Sequence, residues 1–261
     1  MKKITNTFKL AVVSAMFVAS TAHSALITFG GQDAADGTVT SVFVDPANVL
    51  DPSGNFFLET FDLLPDTIDT NIYPDDIAVS EGCTINAFAS PITIDPGAGG
   101  FGVTTGQNDW AAHDTSNTTC FGFTPMQGGD LPTTVTIDYA GLLTGPGSFN
   151  YLGMWFASID DYNSLSFGNV VDDVFVEITS LTGSAILDVL ETTSGDRSDS
   201  KVYVNVFFEE DEHFTAFRFH TTDVAFELDN IVVGRVPEPE SLFLLGFGLL
   251  AFTSYKRRKT N

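Results

Sequence analysis

Basic side chains are nearly missing from the body of this chain. Between Ala25 and Arg235 there are four, Arg197, Lys201, Arg218 and Arg235, against thirty-two acidic residues, so this stretch carries a net charge of −28. A surface of that sign repels nucleic acid and anionic lipid, which excludes a nucleic-acid partner, and it attracts divalent cations. Cysteine is as scarce: Cys83 and Cys120 are the only two. No second pair of ligands sits at a usable spacing for zinc. Outside the cytoplasm an even pair reads as a disulfide. There is no Gly-x-Ser-x-Gly nucleophile elbow, no twelve-residue calcium loop and no internal repeat. Gly97 to Gly106 carries five glycines but lacks the strand–loop–helix setting of a phosphate cradle. The low charged fraction, 17%, and the 24 phenylalanines exclude a disordered acidic chain.

The two ends differ from the body. Lys2, Lys3 and Lys9 precede an apolar run from Leu10 to Ala19, and the small residues Ala22 and Ser24 follow. That order predicts a signal peptide over residues 1–24, cut between Ser24 and Ala25. At the other end Val236-Pro237-Glu238-Pro239-Glu240-Ser241 leads into an uncharged run from Leu242 to Phe252, closed by Lys256-Arg257-Arg258-Lys259. Two prolines in three residues break any regular element. Ser241 to Tyr255 spans 15 residues, fewer than the ~20 of an upright membrane span, so local thinning or snorkelling of the basic cluster has to help. The expectation is a single transmembrane helix with its basic end on the cytoplasmic side, acting as a stop-transfer signal, and everything before it outside.

The order Val-Pro-Glu-Pro, short apolar helix, basic end resembles the PEP-CTERM sorting signal. The resemblance implies an exported protein of a Gram-negative bacterium that makes extracellular polysaccharide. It also implies that exosortase, a membrane protease, recognises Pro237-Glu238-Pro239 and removes the helix and basic tail. The membrane is then a transient partner, and the destination is the cell surface or matrix. Residues 236–261 are thus read as the sorting segment and residues 25–235 as one ectodomain, long enough for a full-sized core.

The ectodomain reads as strands. Val135, Ile137 and Tyr139 alternate with Thr134, Thr136 and Asp138; Val174, Val176 and Ile178 with Phe175, Glu177 and Thr179; Val202, Val204, Val206 and Phe208 with Tyr203, Asn205 and Phe207. Phe217 and Phe219 bracket Arg218. Ala25 to Phe29, Val39 to Val44 and Phe56 to Phe61 are further candidates. Val224, Phe226 and Leu228 share one parity while Ile231 and Val233 have the other, which predicts a bulge or bend at Asp229-Asn230. Ser184 to Glu191 is the only helical candidate, with Ser184 placed to cap it. The expected fold is all-β: a β-sandwich of jelly-roll type. The segment Tyr151 to Asn163, then Thr182-Gly183, Tyr203 to Phe208 and Ala225 to Asn230, is similar to a motif order in one group of exosortase-dependent surface proteins, with Ala157 where that group has Gly. That likeness supports fold and location and supplies no catalytic residue.

Candidate chemistry is sparse. Asp160, Asp161 and Asn163 cluster in one turn and are the place to look for calcium, since hard cations want grouped carboxylate and carbonyl oxygens. Trp110, in a polar stretch, is the candidate platform for a sugar ring, and Trp155 reads as core. His113 lies beside two acids in a loop, and His220 reads as a surface strand residue. The function expected is non-enzymatic: a structural, adhesive or polysaccharide-associated surface component. The alternatives are a carbohydrate-binding module and, behind it, a secreted glycoside hydrolase, which would need two carboxylates held about 5–10 Å apart.

Overall fold

The period-two patterns of β-branched and aromatic residues become strands, and one short amphipathic segment becomes a helix. The protein is described by a computed structural model that covers residues 25–47, 56–62, 73–105, 119–143, 145, 147–157, 159–194 and 200–236. The predicted signal peptide and the predicted transmembrane helix lie outside these residues; among the described residues no helix is long and apolar enough to cross a membrane. The elements are β1 (Leu26–Phe29), β2 (Gln32–Asp33), β3 (Val39–Thr40), β4 (Phe56–Glu59), β5 (Ile77–Val79), β6 (Thr93–Asp95), β7 (Phe101–Thr105), β8 (Cys120–Thr124), β9 (Thr133–Asp138), β10 (Tyr151–Phe156), β11 (Asn163–Val171), β12 (Val174–Thr182), α1 (Gly183–Ser194), β13 (Val202–Phe207), β14 (Ala216–Thr221) and β15 (Phe226–Gly234).

One sheet runs β1-β13-β10-β15-β8-β7-β5, with β4 also paired to β15, and the other runs β12-β11-β14-β9-β6. From β8 onward the chain alternates between them so that β8-β15-β10-β13 lie in one sheet and β9-β14-β11-β12 in the other, every pair antiparallel. That strand order is two interlocked Greek keys, the winding of a jelly roll. β1, β5, β7 and β4 extend the larger sheet; β6 extends the smaller. Both sheets turn apolar faces to one core. Its centre is aromatic: Phe101 against Phe219 at 5.8 Å, Phe219 against Phe226 at 5.2 Å, and Tyr139 stacked on Phe217 at 5.8 Å. Cys83 and Cys120 form the expected disulfide, with Cα atoms 5.7 Å apart, tying the loop after β5 to the start of β8.

The bulge expected at Asp229-Asn230 is present. Gly153 opposes Val232 while Trp155 opposes Asp229, so Asn230 and Ile231 together face Met154. Asn230 has φ of 47°, in the left-handed region that asparagine tolerates best among the larger residues. The strand stays in one sheet but changes neighbour there: Phe226 to Leu228 pair with β8, and Ile231 to Gly234 pair with β4. Asn230 is fully buried and its side-chain amide donates to Thr38 Oγ1 (2.6 Å) and to the Val39 carbonyl (3.0 Å), holding the β2–β3 hairpin against the sheet. Its own carbonyl accepts from the Tyr203 hydroxyl at 3.1 Å. A second small core, with Tyr151, Leu58 and Val232, forms under that hairpin on the outer face of the larger sheet.

Some local expectations shift. α1 starts at Gly183 and ends at Ser194, and its cap is Thr182, whose Oγ1 accepts from the Ala185 N–H at 3.1 Å; Ser184 instead donates to Asp161. Val39 to Val44 is a strand only over its first two residues. Trp155 lies half-buried on the face opposite Leu152 and Met154, because strict alternation along β10 puts it there. Val174 and Val176 are 62% and 50% exposed, since β12 is the edge strand of its sheet.

Asn230→Ala should destabilise the fold by about 3 kcal/mol, from two lost buried hydrogen bonds and a Cβ-bearing residue without asparagine's tolerance for positive φ. Asn230→Gly should cost less, since glycine adopts that φ freely; chemical denaturation of the two variants compares them.

Candidate functional site

The outer face of the five-stranded sheet holds an open groove of about 240 Å³, lined by Thr93, Asp95, Thr136, Asp138, Val170, Asp173, Phe175 and Arg218. Its construction follows from register. Asp95 pairs with Thr136, Thr136 with Arg218, and Arg218 with Ser166, so one polar row crosses β6, β9, β14 and β11. The adjacent row reads Thr93, Asp138, Ala216, Gly168. Its two small residues, Ala216 and Gly168, are buried, and a Cβ on Gly168 would run into the Val176 carbonyl and touch the Phe175 ring. Phe175 therefore reaches across β11, and the Arg218 guanidinium sits over its ring at 4.1 Å. Arg218 Nε donates to Thr136 Oγ1 at 2.8 Å. No other hydrogen bond and no ion pair fixes Arg218 among the described residues, so its terminal amino groups are unengaged.

Two of the groove's aspartates are held by their own backbones. Asp95 Oδ1 accepts from the Gly97 N–H at 3.1 Å and Asp138 Oδ1 from the Ala140 N–H at 2.9 Å. The third, Asp173, stands in the two-residue turn between β11 and β12, where Asp172 and Asp173 have φ of 52° and 62°. That is the left-handed pair a tight hairpin demands, normally filled by Asn-Gly or Asp-Gly.

A second group of charges is buried around the β15 bulge. Glu59, on β4, is 2% exposed; its Oε1 accepts from the Phe61 N–H at 3.0 Å and its Oε2 from the Ala87 N–H at 2.8 Å. Loss of hydration outweighs those donors and pushes its pKa up to about 7. Asp62 Oδ1 accepts from the Cys120 N–H at 2.9 Å, yet burial raises it to about 6. Burial, with the charges of Asp62, Asp36 and Glu59, raises Asp229 well above the ordinary carboxylate range. No basic side chain pairs with Glu59, Asp62 or Asp229 among the described residues. Glu59 and Asp229, buried, and Asp62, half-buried, gather where β4, β15 and the disulfide loop meet, and they hold loops in place.

The residues singled out from sequence are scattered. Asp160, Asp161 and Asn163 do form one turn between β10 and β11: the Asn163 N–H donates to the Asp160 carbonyl at 3.0 Å. Their side chains diverge, with Asn163 buried to 1% exposure and Asp161 accepting from Ser184 Oγ at 2.9 Å. His220 lies on the outer face as expected, its Nδ1 2.8 Å from Thr134 Oγ1. Trp110 and His113, the tripeptide Pro237, Glu238, Pro239, and the cluster Lys256, Arg257, Arg258, Lys259 lie outside the described residues. Sequence reasoning missed Arg218 as a site residue. The available signal was its rarity: it is one of four cations in the ectodomain and stands between two core phenylalanines, so it had to point outward.

The buried acids give a pH dependence of definite sign. An acid whose folded pKa exceeds its unfolded value keeps a proton that the unfolded chain gives up, so stability is greatest below about pH 4 and falls as pH rises through 6 to 7. The ectodomain should melt several degrees higher at pH 5 than at pH 8, with Glu59 alone contributing on the order of 2–3 kcal/mol. Glu59→Gln should flatten that slope; an unchanged slope in thermal melts would contradict the assignment.

Beyond the last strand the chain is clamped once more. Asn150 Nδ2 donates to the Val236 carbonyl at 2.9 Å and Asn150 Oδ1 accepts from the Val236 N–H at 2.8 Å, while Arg235 Nε donates to the Ser148 carbonyl. No curated protein matches this chain. The PEP-CTERM protein-sorting motif matches residues 235–259, beginning one residue after β15 ends. A motif of this kind implies a secreted protein, exported to the surface and processed by exosortase. The chain thus carries the PEP-CTERM sorting motif that Val236-Pro237-Glu238-Pro239 and the apolar and basic stretches after it resemble.

Proposed function

We propose that this is a surface or matrix protein of a Gram-negative bacterium whose jelly-roll ectodomain acts without catalysis, as a structural or adhesive component in contact with extracellular polysaccharide. It passes through the inner membrane by its signal peptide, is held there for a time by the helix after Ser241, and is freed when exosortase cuts at or near Pro237-Glu238-Pro239. The observation that carries this reading is the junction at Gly234. The sorting motif starts where the last strand ends, and Asn150 fastens Val236, so the strand is closed before Pro237-Glu238-Pro239 begins. The −28 charge suits a protein working outside the cell among hydrated polymers, where self-repulsion keeps it dispersed.

Calcium is the cofactor this reading allows. Its place would be the Asp160–Asn163 turn, although among the described residues no group of three or more His, Cys, Asp and Glu side chains is arranged to hold a metal ion. Melting curves in calcium and in chelator decide it, and identical curves remove calcium from the reading.

Mass spectrometry of the surface fraction tests the processing. The mature protein should lack both residues 1–24 and the residues beyond the motif. Replacing Pro237, Glu238 and Pro239 with alanine should leave an uncut chain in the membrane fraction. An intact C-terminal Asn261 on the surface protein would overturn the reading.

A further inference from the structure

The geometry points to the groove on the five-stranded sheet as a binding site for neutral carbohydrate, with Arg218, Asp95, Asp138 and Asp173 as its polar contacts. The inference rests on the surface-polysaccharide reading and names the ligand class and the site for it. Arg218 is the central observation. It is fixed from two sides, by Thr136 at Nε and by the Phe175 ring beneath the guanidinium, and among the described residues its terminal amino groups have no partner. An arginine immobilised by stacking keeps its planar fork of donors in one orientation at little further entropic cost on binding.

The charges around it select the ligand. Asp95, Asp138 and Asp173 line the same groove. One guanidinium against three carboxylates leaves the groove negative, so phosphate, sulfate and polyuronate chains are repelled. A ligand that fits must offer acceptors to Arg218 and donors to the aspartates, and it must carry no charge. Adjacent hydroxyls of a pyranose ring do both, since each hydroxyl donates once and accepts twice. Asp95 and Asp138 each spend one carboxylate oxygen on a backbone N–H, which orients the carboxylate and leaves the other oxygen for the ligand. Val170 and Phe175 give the groove an apolar wall for the C–H face of a sugar. The groove's volume, about 240 Å³, takes one or two sugar units.

Asp173 supplies a second line of argument. Tight hairpin turns with two positive φ values favour glycine at the second position, yet aspartate stands there with φ of 62°, at a cost of about 1 kcal/mol. A carboxylate kept at a position that disfavours it, on the rim of a groove, is explained by what the carboxylate binds.

The test uses the full chain, with its signal and sorting segments, purified in a non-glycosidic detergent. It is applied to an array of neutral gluco-, manno- and galacto-oligosaccharides, polyuronates and sulfated glycans, and the best ligand is then titrated calorimetrically. Binding to a neutral oligosaccharide is expected, weakened more than tenfold by Arg218→Lys, which keeps the charge but loses the fork. Asp173→Gly should weaken it to a similar degree while holding or raising the melting temperature, which separates lost contact from lost folding. Preference for polyuronates or sulfated glycans, no binding to any neutral oligosaccharide, or binding unchanged in both variants would each overturn the site. Surface delivery is read separately by the mass spectrometry above. A processed surface protein that binds no neutral glycan sinks this inference alone, and an unprocessed one sinks the reading beneath it.

Discussion

The left-handed turn at Asn230 is the point on which the larger sheet depends. β15 is the middle strand of that sheet, and a regular strand could not serve both of its neighbours on one side. β8 meets its first three residues and β4 its last four, and the extra residue between them resets the register. The apolar parity changes at the same place, so Phe226 and Leu228 before the bulge and Ile231 and Val233 after it all enter one core. The side chain left at the kink has no core to enter. Being an amide, it reaches outward from the sheet to Thr38 and Val39 and so recruits the N-terminal hairpin as a lid over the second small core. A single residue thereby links the jelly roll to the segment wrapped around it.

The acids buried beside that bulge show how a −28 domain stays folded. Most of its charge is on the surface, where water screens it. Beside the bulge, Glu59 and Asp229 are buried and Asp62 is half-buried, and each is tolerated differently. Glu59 takes backbone N–H groups from two loops and acts as a brace between them. Asp62 takes the N–H of Cys120, beside the disulfide. Asp229 caps the Asn230 N–H, which the bulge leaves outside the ladder. All three are more comfortable protonated, so the domain favours mildly acidic surroundings. The aromatic core offsets their cost: the interlocked phenylalanines bury large apolar area, at about 25 cal/mol per Å².

Much of the fold was legible in the sequence, and the reasons are specific. Alternation revealed Val135, Ile137 and Tyr139, all buried, and the parity change at Asp229-Asn230 revealed the bulge. Phe217-Arg218-Phe219 displayed one strand's two faces in three residues. Burial of Glu59 was not legible, because an acid inside Phe56-Phe57-Leu58-Glu59 is assigned to solvent by every general preference, and the N–H groups that receive it come from residues 2 and 28 positions away. The exposure of Val174 and Val176 was hidden for another reason. Alternation assigns a face, but whether that face is covered depends on which strand ends the sheet. The groove fell between these cases. Its residues come from β6, β9, β11, β12 and β14 and their turns, and only the register brings Asp95, Thr136 and Arg218 into one row.

The junction with the sorting motif completes the physical account. Processing at a C-terminal sorting motif requires a fold that owes none of its stability to what is removed. β15 makes its ladder bonds to β10 and β4 up to Gly234, the last strand residue. Asn150 then imitates one more rung: its amide gives and takes one bond with Val236, as a neighbouring strand would, and the chain needs no strand beyond that point. Val236 also packs against the second small core, so the residue just before Pro237 is held from two directions. Proline at 237 cannot donate to a ladder in any case, which makes it a natural end to the pairing. The clamp and the prolines thus fall side by side. A cut anywhere beyond Val236 would leave every contact described for the fold in place.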